Sequence, residues 1–409
     1  MGPRRRGSTA GRVIGEAEAA EAARAVAHLL PPALAPAFGA SFIRSDYLYD
    51  EFVHRLSLQV FRAAGLEAAA REPSSSEEIA THAGLEVRRA LTPVDWILRR
   101  LAGRGLLEET RGAGEPRRFR VRDALPELDP APIREAHLRL DASWLPSYVL
   151  AETVARDYPA FLRGERTGEE ILFSPTRLRL WAEFFSNDNG LYAVNNLVGA
   201  VAVEGQVSPG PLAILELGGG LGSAAVALLE RLRLAGRWGD IREYRFTDIV
   251  AAFLRRGQQA VQTRFPDATF ARFASLDMNR PFGEQGALPG SVALVYAVNT
   301  LHVARDLDFT LREVFAALAP GGALIIAECV RPAPGQLIYA EFIFNLLEAF
   351  RSPVLHPAYR PNGGFLTAEQ WRLAIEAAGF LEVRTLPDVA RIRERFAAFC
   401  VAAIVAVRR

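Results

Sequence analysis

The sequence predicts an α/β protein in which a doubly wound, mainly parallel sheet follows a mostly helical N-terminal region. A short apolar run, residues 213–217, leads into a glycine cluster and then into an amphipathic helix over residues 224–233. Beyond this helix, short apolar runs with strand character alternate with helical segments to the end of the chain. Such alternation is typical of a parallel sheet that carries helices on both faces.

Composition narrows the possible functions. The 409-residue chain is 50% hydrophobic and has a formal net charge of +1, which gives no overall attraction to nucleic acid or membrane. Residues 1–12 are basic but lack the apolar core of a signal peptide, and no apolar run is long enough to span a bilayer. We therefore predict a disordered tail and a cytoplasmic protein. Cys329 and Cys400 lie in apolar runs and are predicted to be buried rather than disulfide-bonded or metal-bound.

Four parts are predicted along the chain. Residues 1–40 form a tail and helix, 41–130 a winged-helix-like domain, 131–207 a helical connector or lid, and 208–409 the sheet domain. The turn-forming stretch Ser208-Pro209-Gly210-Pro211 marks the linker into the sheet domain. Within residues 131–207, the polar cluster Asn187-Asp188-Asn189 has two interpretations, a turn in a connecting layer or part of a lid over a ligand pocket.

The winged-helix prediction depends on the order of elements. A helix over residues 46–64 precedes Ser75 and Glu78, which have capping-box spacing, and a second helix is expected to begin at Thr92-Pro93. Strands over residues 106–109 and 119–122 flank a turn at residues 112–116. This wing could bind DNA or dock an acidic carrier protein, but its glutamates argue against DNA. Its charged residues are Arg111, Arg117, Arg118, Arg120, Arg122, Glu108, Glu109 and Glu115.

In the sheet domain, glycines and polar residues follow the predicted strands. Strands are expected over residues 213–217, 244–248, 269–273, 292–298, 323–328, 381–384 and 397–407. Helices are expected over residues 253–264, 306–318 and 367–379, with a turn at Pro320-Gly321-Gly322 and a helical insertion over residues 330–360. Residues 218–222, Asp248, Asp277 and Asn299 all fall at strand C-terminal ends, where sheets of this kind bind ligands.

The glycine cluster has the pattern E-x-G-x-G-x-G on Glu216, Gly218, Gly220 and Gly222. Gly218, Gly220 and Ser223 also come close to the G-x-G-x-x-G spacing of dinucleotide sites. The acid before the glycines favours S-adenosylmethionine (SAM), which has a cationic methionine part and no pyrophosphate to place on the helix N-terminus. Glycines at these positions let the backbone approach a ligand closely.

Residues 215–328 resemble class I SAM-dependent methyltransferases and, more narrowly, the methyltransferase domains of polyketide synthases. The resemblance is carried by Phe246-Thr247-Asp248-Ile249, Asn299-Thr300-Leu301-His302 and Leu318-Ala319-Pro320-Gly321-Gly322 with Glu328. Val250 departs from the serine that this family often has. Small-molecule O-methyltransferases are similar at His302 but usually have an acid and tryptophan next, where this chain has Val303-Ala304.

The resemblance implies a SAM site. Glu216 and the glycines at 218, 220 and 222 would hold the methionine part, and Asp248 would accept hydrogen bonds from the ribose hydroxyls. Asp277 and Met278 would flank the adenine, and Asn299 would complete the site. Each strand-end acid has a structural alternative, because a carboxylate there can simply cap the next helix.

His302 is the candidate general base, because imidazole titrates near neutral pH and this residue follows the fourth strand of the sheet domain. Glu328 ends the neighbouring fifth strand and would orient and charge-stabilise the imidazole. The four histidines in the N-terminal half of the chain are expected to be surface or packing residues. These are His28, His54, His82 and His137.

A metal site is a further hypothesis. Some similar enzymes that methylate malonyl groups on a carrier protein use a bound iron or related divalent metal, and His302, Gln336 and His356 are the candidate ligands here. Such an ion would polarise a 1,3-dicarbonyl and stabilise its enolate. The alternative is that Gln336 faces water and His356 lies in a loop.

These observations predict a SAM-dependent methyltransferase of specialised, polyketide-type metabolism. C-methylation of an activated 1,3-dicarbonyl acyl substrate leads, with the acyl group free or bound to an acyl carrier protein, and O-methylation of a small molecule is the alternative. Two further hypotheses are a ligand-sensing winged-helix regulator and a SAM-binding cyclase. No nucleic acid or membrane partner is expected, and the resemblance implies that the winged-helix-like domain shapes the substrate site or forms a homodimer.

Overall fold

The computed structural model describes residues 13–112, 114–207 and 210–409. The predicted tail at residues 1–12, Ala113 of the wing turn and Ser208-Pro209 of the linker lie outside these ranges. The described chain forms two compact units. The helical unit comprises residues 13–24, 39–184 and 337–351, and the sheet unit comprises residues 25–38, 185–336 and 352–409. The four-part division expected from the sequence stays a prediction.

The helices and strands have the following bounds. The helices before the sheet are α1 Glu16–Ala27, α2 Ala40–Ala63, α3 Leu66–Ala69, α4 Ser76–His82, α5 Val87–Gly103, α6 Ala131–Leu140, α7 Leu145–Leu162, α8 Gly168–Phe173, α9 Leu178–Phe184 and α10 Gly190–Gln206. The later helices are α11 Ser223–Leu234, α12 Ala251–Arg264, α13 Leu307–Ala317, α14 Glu341–Phe344, α15 Glu348–Arg351, α16 Ala368–Ala377 and α17 Val389–Arg393. The strands are β1 Ser74–Ser75, β2 Glu108–Thr110, β3 Arg118–Arg120, β4 Leu212–Leu217, β5 Ile241–Thr247, β6 Ala271–Ala274, β7 Val292–Val298, β8 Leu318–Cys329, β9 Leu381–Leu386 and β10 Val401–Val407.

The helical unit contains a winged-helix arrangement. Helices α4 and α5 lie between β1 and the hairpin β2–β3, and the three strands form an antiparallel sheet in the order β1-β3-β2. The predicted capping box at the start of α4 is present, with the Ser75 hydroxyl accepting the Glu78 N–H and the Glu78 carboxylate accepting the Ser75 N–H. The predicted start of the next helix at Thr92-Pro93 is wrong. Helix α5 begins at Val87, and Pro93 lies inside it at the cost of one intrahelical hydrogen bond.

Residues 337–351 join the helical unit through two buried acids. The Asp46 carboxyl group of α2 accepts a hydrogen bond from the Tyr339 hydroxyl at 2.6 Å. The Glu341 carboxylate accepts a hydrogen bond from the Trp96 indole N–H of α5 at 2.9 Å. Burial raises the pKa of Asp46 to about 8, with Tyr339 lowering it and Asp50 raising it, so this carboxyl is mostly protonated at neutral pH.

The sheet unit contains the expected mainly parallel sheet. Its seven strands lie in the order β6-β5-β4-β7-β8-β10-β9, and only β10 runs antiparallel to its neighbours. The chain moves from β4 outward through β5 and β6 and then returns to β7 on the other side of β4. The switch point between β4 and β7 is where an open α/β sheet forms its ligand crevice.

Helices cover this sheet. Helix α10 packs on β7, β8 and β10 and beside α11, which in turn packs beside α12. Helix α13 packs on β8 and α16, and α16 packs on β9 and β10. Thr367 caps α16, forming a capping box with Gln370. Cys329 and Cys400 are buried, as predicted.

One local prediction in the sheet unit is wrong and another holds only in part. Residues 320–322 belong to β8, because Gly321 and Gly322 exchange backbone hydrogen bonds with Arg408. They still bend the chain, since the register against β7 shifts from Val292 with Leu318 to Leu294 with Ala323 and Gly321 has a φ of 79°. Residues 330–360 do not form a helical insertion. They contain only the single-turn helices α14 and α15, since prolines at 332, 334, 353 and 357 interrupt the segment.

In the described part of the chain, no helix is long and apolar enough to cross a membrane.

Candidate active site

The candidate site lies at the carboxyl ends of β4 and β7. The glycine loop follows β4 directly, and Asn299, Thr300 and a 3-10 helix, Leu301–Val303, follow β7. These two connections are in close contact, because a Cβ added to Gly218 would lie 2.1 Å from the Thr300 Oγ1 atom. The predicted donor loop and the predicted base are therefore on adjacent segments of backbone.

Gly218 and Gly220 share a left-handed backbone but differ in the space around them. Gly218 and Gly220 both have φ of 58°, a left-handed conformation that residues with a side chain rarely adopt. At Gly218 the space is filled by Thr300, whereas a Cβ at Gly220 would meet only the Gly218 carbonyl oxygen, at 4.0 Å. The loop is therefore packed on one side and open at Gly220, as a ligand cradle requires. Gly222 ends the loop as the N-cap of α11.

Asp248 is tied to this loop. It follows β5, and its Oδ2 atom accepts the Gly220 N–H at 2.9 Å while Oδ1 accepts the Val250 N–H at 2.7 Å. Burial raises the pKa of Asp248 and the two backbone hydrogen bonds lower it. The carboxylate links the glycine loop to the Val250 N–H just before α12, and each oxygen keeps a lone pair with which to accept a hydroxyl.

Glu216 is a buried carboxyl with one unused oxygen. It is 1% exposed, and its Oε2 atom accepts a hydrogen bond from the Tyr244 hydroxyl at 2.9 Å. Oε1 has no hydrogen-bond partner among the residues that the structure describes. Burial raises the pKa of Glu216 to about 8, with Tyr244 lowering it and Asp248 raising it. A bound cation would stabilise the ionised form and use the vacant acceptor, which fits the ammonium group of SAM.

Asn299 offers a second buried acceptor. Its φ of 50° is left-handed, which asparagine tolerates better than most residues, and its N–H donates to the Ala327 carbonyl at 2.7 Å. The Asn299 side chain hydrogen-bonds Tyr192 of α10, while Oδ1 has no partner within the described ranges. The unusual backbone and the vacant oxygen both suit a ligand contact.

Asp277 and Met278 follow β6 and are half-buried. Asp277 Oδ1 accepts the N–H and the side-chain amide of Asn279, at 2.9 and 3.1 Å, and the Met278 carbonyl accepts the Thr310 hydroxyl at 3.0 Å. These contacts order the turn after the strand. The adenine-binding role of the two residues stays a prediction.

His302 and Glu328 form a buried pair. The His302 Nδ1 atom lies 2.8 Å from Glu328 Oε2, and both side chains are almost fully inaccessible. Glu328 Oε1 accepts the backbone N–H groups of Thr300 and His302, at 3.1 and 3.3 Å. With Nδ1–H donating to the carboxylate, the Nε2 atom carries the lone pair, which is the form a general base needs. The ring also contacts Phe365, with centroids 4.5 Å apart.

Sequence reasoning missed three residues of this site. Tyr244 donates to Glu216, Tyr192 contacts Asn299, and Arg360 donates to the carbonyl oxygens of the His302 loop. The only signal for Tyr244 is its inward position on β5, opposite Ile214 of β4. Arg360 has none, because its acceptors are backbone atoms 56 and 58 residues away in the chain.

The candidate metal ligands do not fit a metal site as the structure places them. Gln336 is exposed. The His356 ring stacks on Tyr359 with centroids 3.7 Å apart, and its Nδ1 accepts the Ala358 N–H at 3.3 Å. Over residues 13–112, 114–207 and 210–409, no group of three or more His, Cys, Asp or Glu side chains has metal-binding geometry.

Comparison with known proteins adds a family match. Residues 215–324 match the family described as a methyltransferase domain. The chain is 30% identical over 254 residues to highly reducing polyketide synthase 2 of Gibberella zeae, covering 60% of this chain and 9% of that protein. It is 30% identical over 279 residues to polyketide synthase ThaQ of Burkholderia thailandensis, covering 63% of this chain and 13% of that protein. The chain thus spans a small part of the length of these relatives.

Solved structures share the fold over nearly the whole chain. The CurJ carbon methyltransferase has a TM-score of 0.72 at 24% identity, covering 95% of this chain and 98% of that one. The citrinin polyketide synthase CMeT domain has a TM-score of 0.71 at 19% identity, covering 97% and 98%. Their similarity extends across both the helical and the sheet-forming residues.

Proposed function

We propose that this chain, which carries a class I SAM-dependent methyltransferase domain of the polyketide synthase type, methylates the carbon between the two carbonyls of an acyl substrate. The observation that carries the proposal is the His302–Glu328 pair, with Nδ1 and Oε2 at 2.8 Å, on a loop that packs against Gly218. A base and a donor cradle on touching segments suit a transfer in which a proton leaves the carbon that the methyl group joins.

The residues around the donor fit SAM. Glu216 Oε1 and Asn299 Oδ1 are buried acceptors without partners among the described residues, which suits an ammonium group. We assign the methionine part to these residues and the loop of Gly218, Gly220 and Gly222, the ribose to Asp248, and the adenine to Asp277 and Met278. When bound, SAM supplies an electrophilic methyl group.

His302 is assigned the proton transfer. Its Nε2 atom takes the proton from the acyl carbon, and the electron pair left on that carbon forms the new C–CH3 bond while the old bond to sulfur breaks. Glu328 stabilises the imidazolium through the Nδ1–H hydrogen bond and does not itself take the proton. The products are the C-methylated acyl group, S-adenosylhomocysteine and a proton that His302 returns to solvent.

We assign the acyl group to a carrier protein rather than to a nucleic acid partner. Four wing arginines form ion pairs with glutamates, so the described part of the wing presents little net positive charge. The pairs are Arg117–Glu109, Arg118–Glu78, Arg120–Glu108 and Arg122–Glu108. DNA binding requires an excess of cationic side chains for phosphate contacts. The homodimer suggested by the winged-helix-like domain stays a prediction.

The test uses SAM with a ¹³C-labelled methyl group and a β-ketoacyl group on pantetheine or on a carrier protein. We expect a C–CH3 signal in the ¹³C spectrum, with one S-adenosylhomocysteine formed per product, and faster turnover of the carrier-bound substrate. An O–CH3 signal from these substrates or from hydroxylated small molecules would replace C-methylation by O-methylation. S-adenosylhomocysteine failing to accumulate during turnover would point to cyclisation.

A further inference from the structure

Arg360 is a buried guanidinium that binds the main chain of the base. It is 1% exposed, and its Nη2 atom donates to the His302 carbonyl at 2.6 Å. Its Nη1 atom donates to the Ala304 carbonyl at 2.7 Å. Both acceptors lie at the 3-10 helix that carries His302, so one planar guanidinium holds this turn at two points.

The surroundings of Arg360 are unusual for a buried charge. Within the described chain it forms no salt bridge, and its Nε atom has no hydrogen-bond partner. Burial lowers the pKa of Arg360 to about 10, while the charges of Asp306 and Glu328 raise it, so the group stays cationic at neutral pH. A buried charge without a salt bridge costs stability, so a contribution to folding does not by itself explain this guanidinium.

The arginine is itself fixed in place. The backbone N–H of Arg360 donates to the His356 carbonyl and the N–H of His356 donates to the Arg360 carbonyl, both at 2.9 Å. These two hydrogen bonds fix the backbone position from which the Arg360 side chain extends. The guanidinium therefore acts as a fixed point against which the loop after β7 is held.

His302 therefore forms hydrogen bonds with two different residues. Glu328 accepts its backbone N–H and its ring Nδ1–H, while Arg360 donates to its carbonyl oxygen. The Val303 and Ala304 N–H groups close the turn on itself, donating to the Thr300 and Leu301 carbonyls at 3.1 Å. Arg360 adds the contact from outside the turn, on the carbonyl side of His302.

We propose that Arg360 is a positioning residue that aims the His302 imidazole at the substrate carbon. This rests on the proposed role of His302 as the base. Arg360 acts through the main chain of His302 and has no assigned contact with SAM, so its loss should lower kcat and leave donor binding intact. Misplacement of a catalytic group by about 1 Å costs about 100-fold in rate.

The experiment compares three variants of the full chain. Arg360→Met removes the guanidinium, and Arg360→Lys keeps the charge without the planar fork. Arg408→Met is the matched control, because Arg408 also donates to backbone carbonyls, those of Phe315, Ala316 and Leu318, but at the opposite end of β8. We expect kcat to fall about 100-fold in Arg360→Met, to recover partly in Arg360→Lys, and to change less than about threefold in Arg408→Met. The Kd for SAM should stay at the parent value in all three.

A spectroscopic readout separates this proposal from the proposed function. In protein labelled with ¹⁵N-histidine, the Nδ1–H signal of His302 is identified by its loss in His302→Gln. We expect it to shift or broaden in Arg360→Met and to stay unchanged in Arg408→Met. An unchanged signal and kcat in both Arg360 variants would overturn the positioning role even if C-methylation is confirmed. A shifted signal in a protein that does not C-methylate would refute the proposed function alone.

Discussion

Substitution of Gly220 by alanine tests whether the open side of the glycine loop is the donor site. An added Cβ at this position meets only the Gly218 carbonyl oxygen, at 4.0 Å, so the unliganded protein has room for it. The remaining cost to folding is the left-handed backbone, with φ of 58°, which is about 1–2 kcal/mol for a residue with a side chain. A donor lying against the loop would have to move away from the new methyl group. Overpacking of this kind costs about 1–3 kcal/mol, so the Kd for SAM should rise about 5- to 150-fold.

Two other glycines separate the effects. Gly236 lies on the surface after α11 with φ of 70° and no atom within 4 Å of an added Cβ, so Gly236→Ala carries the backbone cost alone. Gly218→Ala places a Cβ 2.1 Å from Thr300 Oγ1. This variant should therefore lose more stability than Gly220→Ala or Gly236→Ala and should also displace the His302 loop.

The assay is calorimetric titration with SAM, alongside urea unfolding of each variant. We expect Gly220→Ala and Gly236→Ala to lose similar free energy of unfolding, about 1–2 kcal/mol, while only Gly220→Ala loses SAM affinity. Equal SAM affinity in these two variants would refute the placement of the donor at Gly220.

The remaining predictions concern titratable groups and the catalytic pair. Below pH about 8, SAM binding should release a proton from Glu216, so the apparent affinity for SAM should rise with pH toward that value and then level off. Calorimetry in buffers of different ionisation enthalpy should detect the released proton. The Glu216→Gln variant should release none. The pKa of Asp46 is raised from 3.8 to about 8, so the folded state holds a proton that the unfolded state loses between these values. Stability should therefore fall as pH rises from about 4 to about 8, and urea unfolding should show a shallower fall for Asp46→Asn, whereas parallel curves would contradict the assignment. Glu328→Gln should lower kcat about 100- to 10,000-fold with little change in the Kd for SAM, and a parallel loss of SAM binding would indicate a structural role instead.

The sequence was informative wherever structure follows from local patterns. Strand β7 has the predicted bounds, Val292–Val298, because an unbroken apolar run between polar residues leaves few alternatives. The predicted capping box of Ser75 and Glu78 is present because it involves only neighbouring residues. The pairing of His302 with Glu328 could be expected because strands β7 and β8 are adjacent and parallel in the predicted topology.

The sequence was less informative wherever distant pairing overrides local preference. Residues 320–322 have turn-forming composition and do bend the chain at Gly321, yet hydrogen bonds with Arg408 keep them within β8. Arg360 binds backbone carbonyls, which every residue has, so no pattern of side chains identifies its partners. The attachment of residues 337–351 to the helical unit depends on Asp46 with Tyr339 and Trp96 with Glu341, pairs separated by 293 and 245 residues.

The most direct test of the central claim is hydrogen exchange at the acyl carbon between the two carbonyls. The β-ketoacyl substrate is mixed with the protein and S-adenosylhomocysteine in D2O, and deuterium uptake is followed by rapid quenching and mass spectrometry. If His302, held by Glu328, removes the carbon-bound proton, uptake will exceed the buffer rate in the parent protein and return to that rate in His302→Gln. Deuterium uptake at the buffer rate in the parent protein, together with methyl transfer to oxygen, would contradict proton removal from carbon by His302.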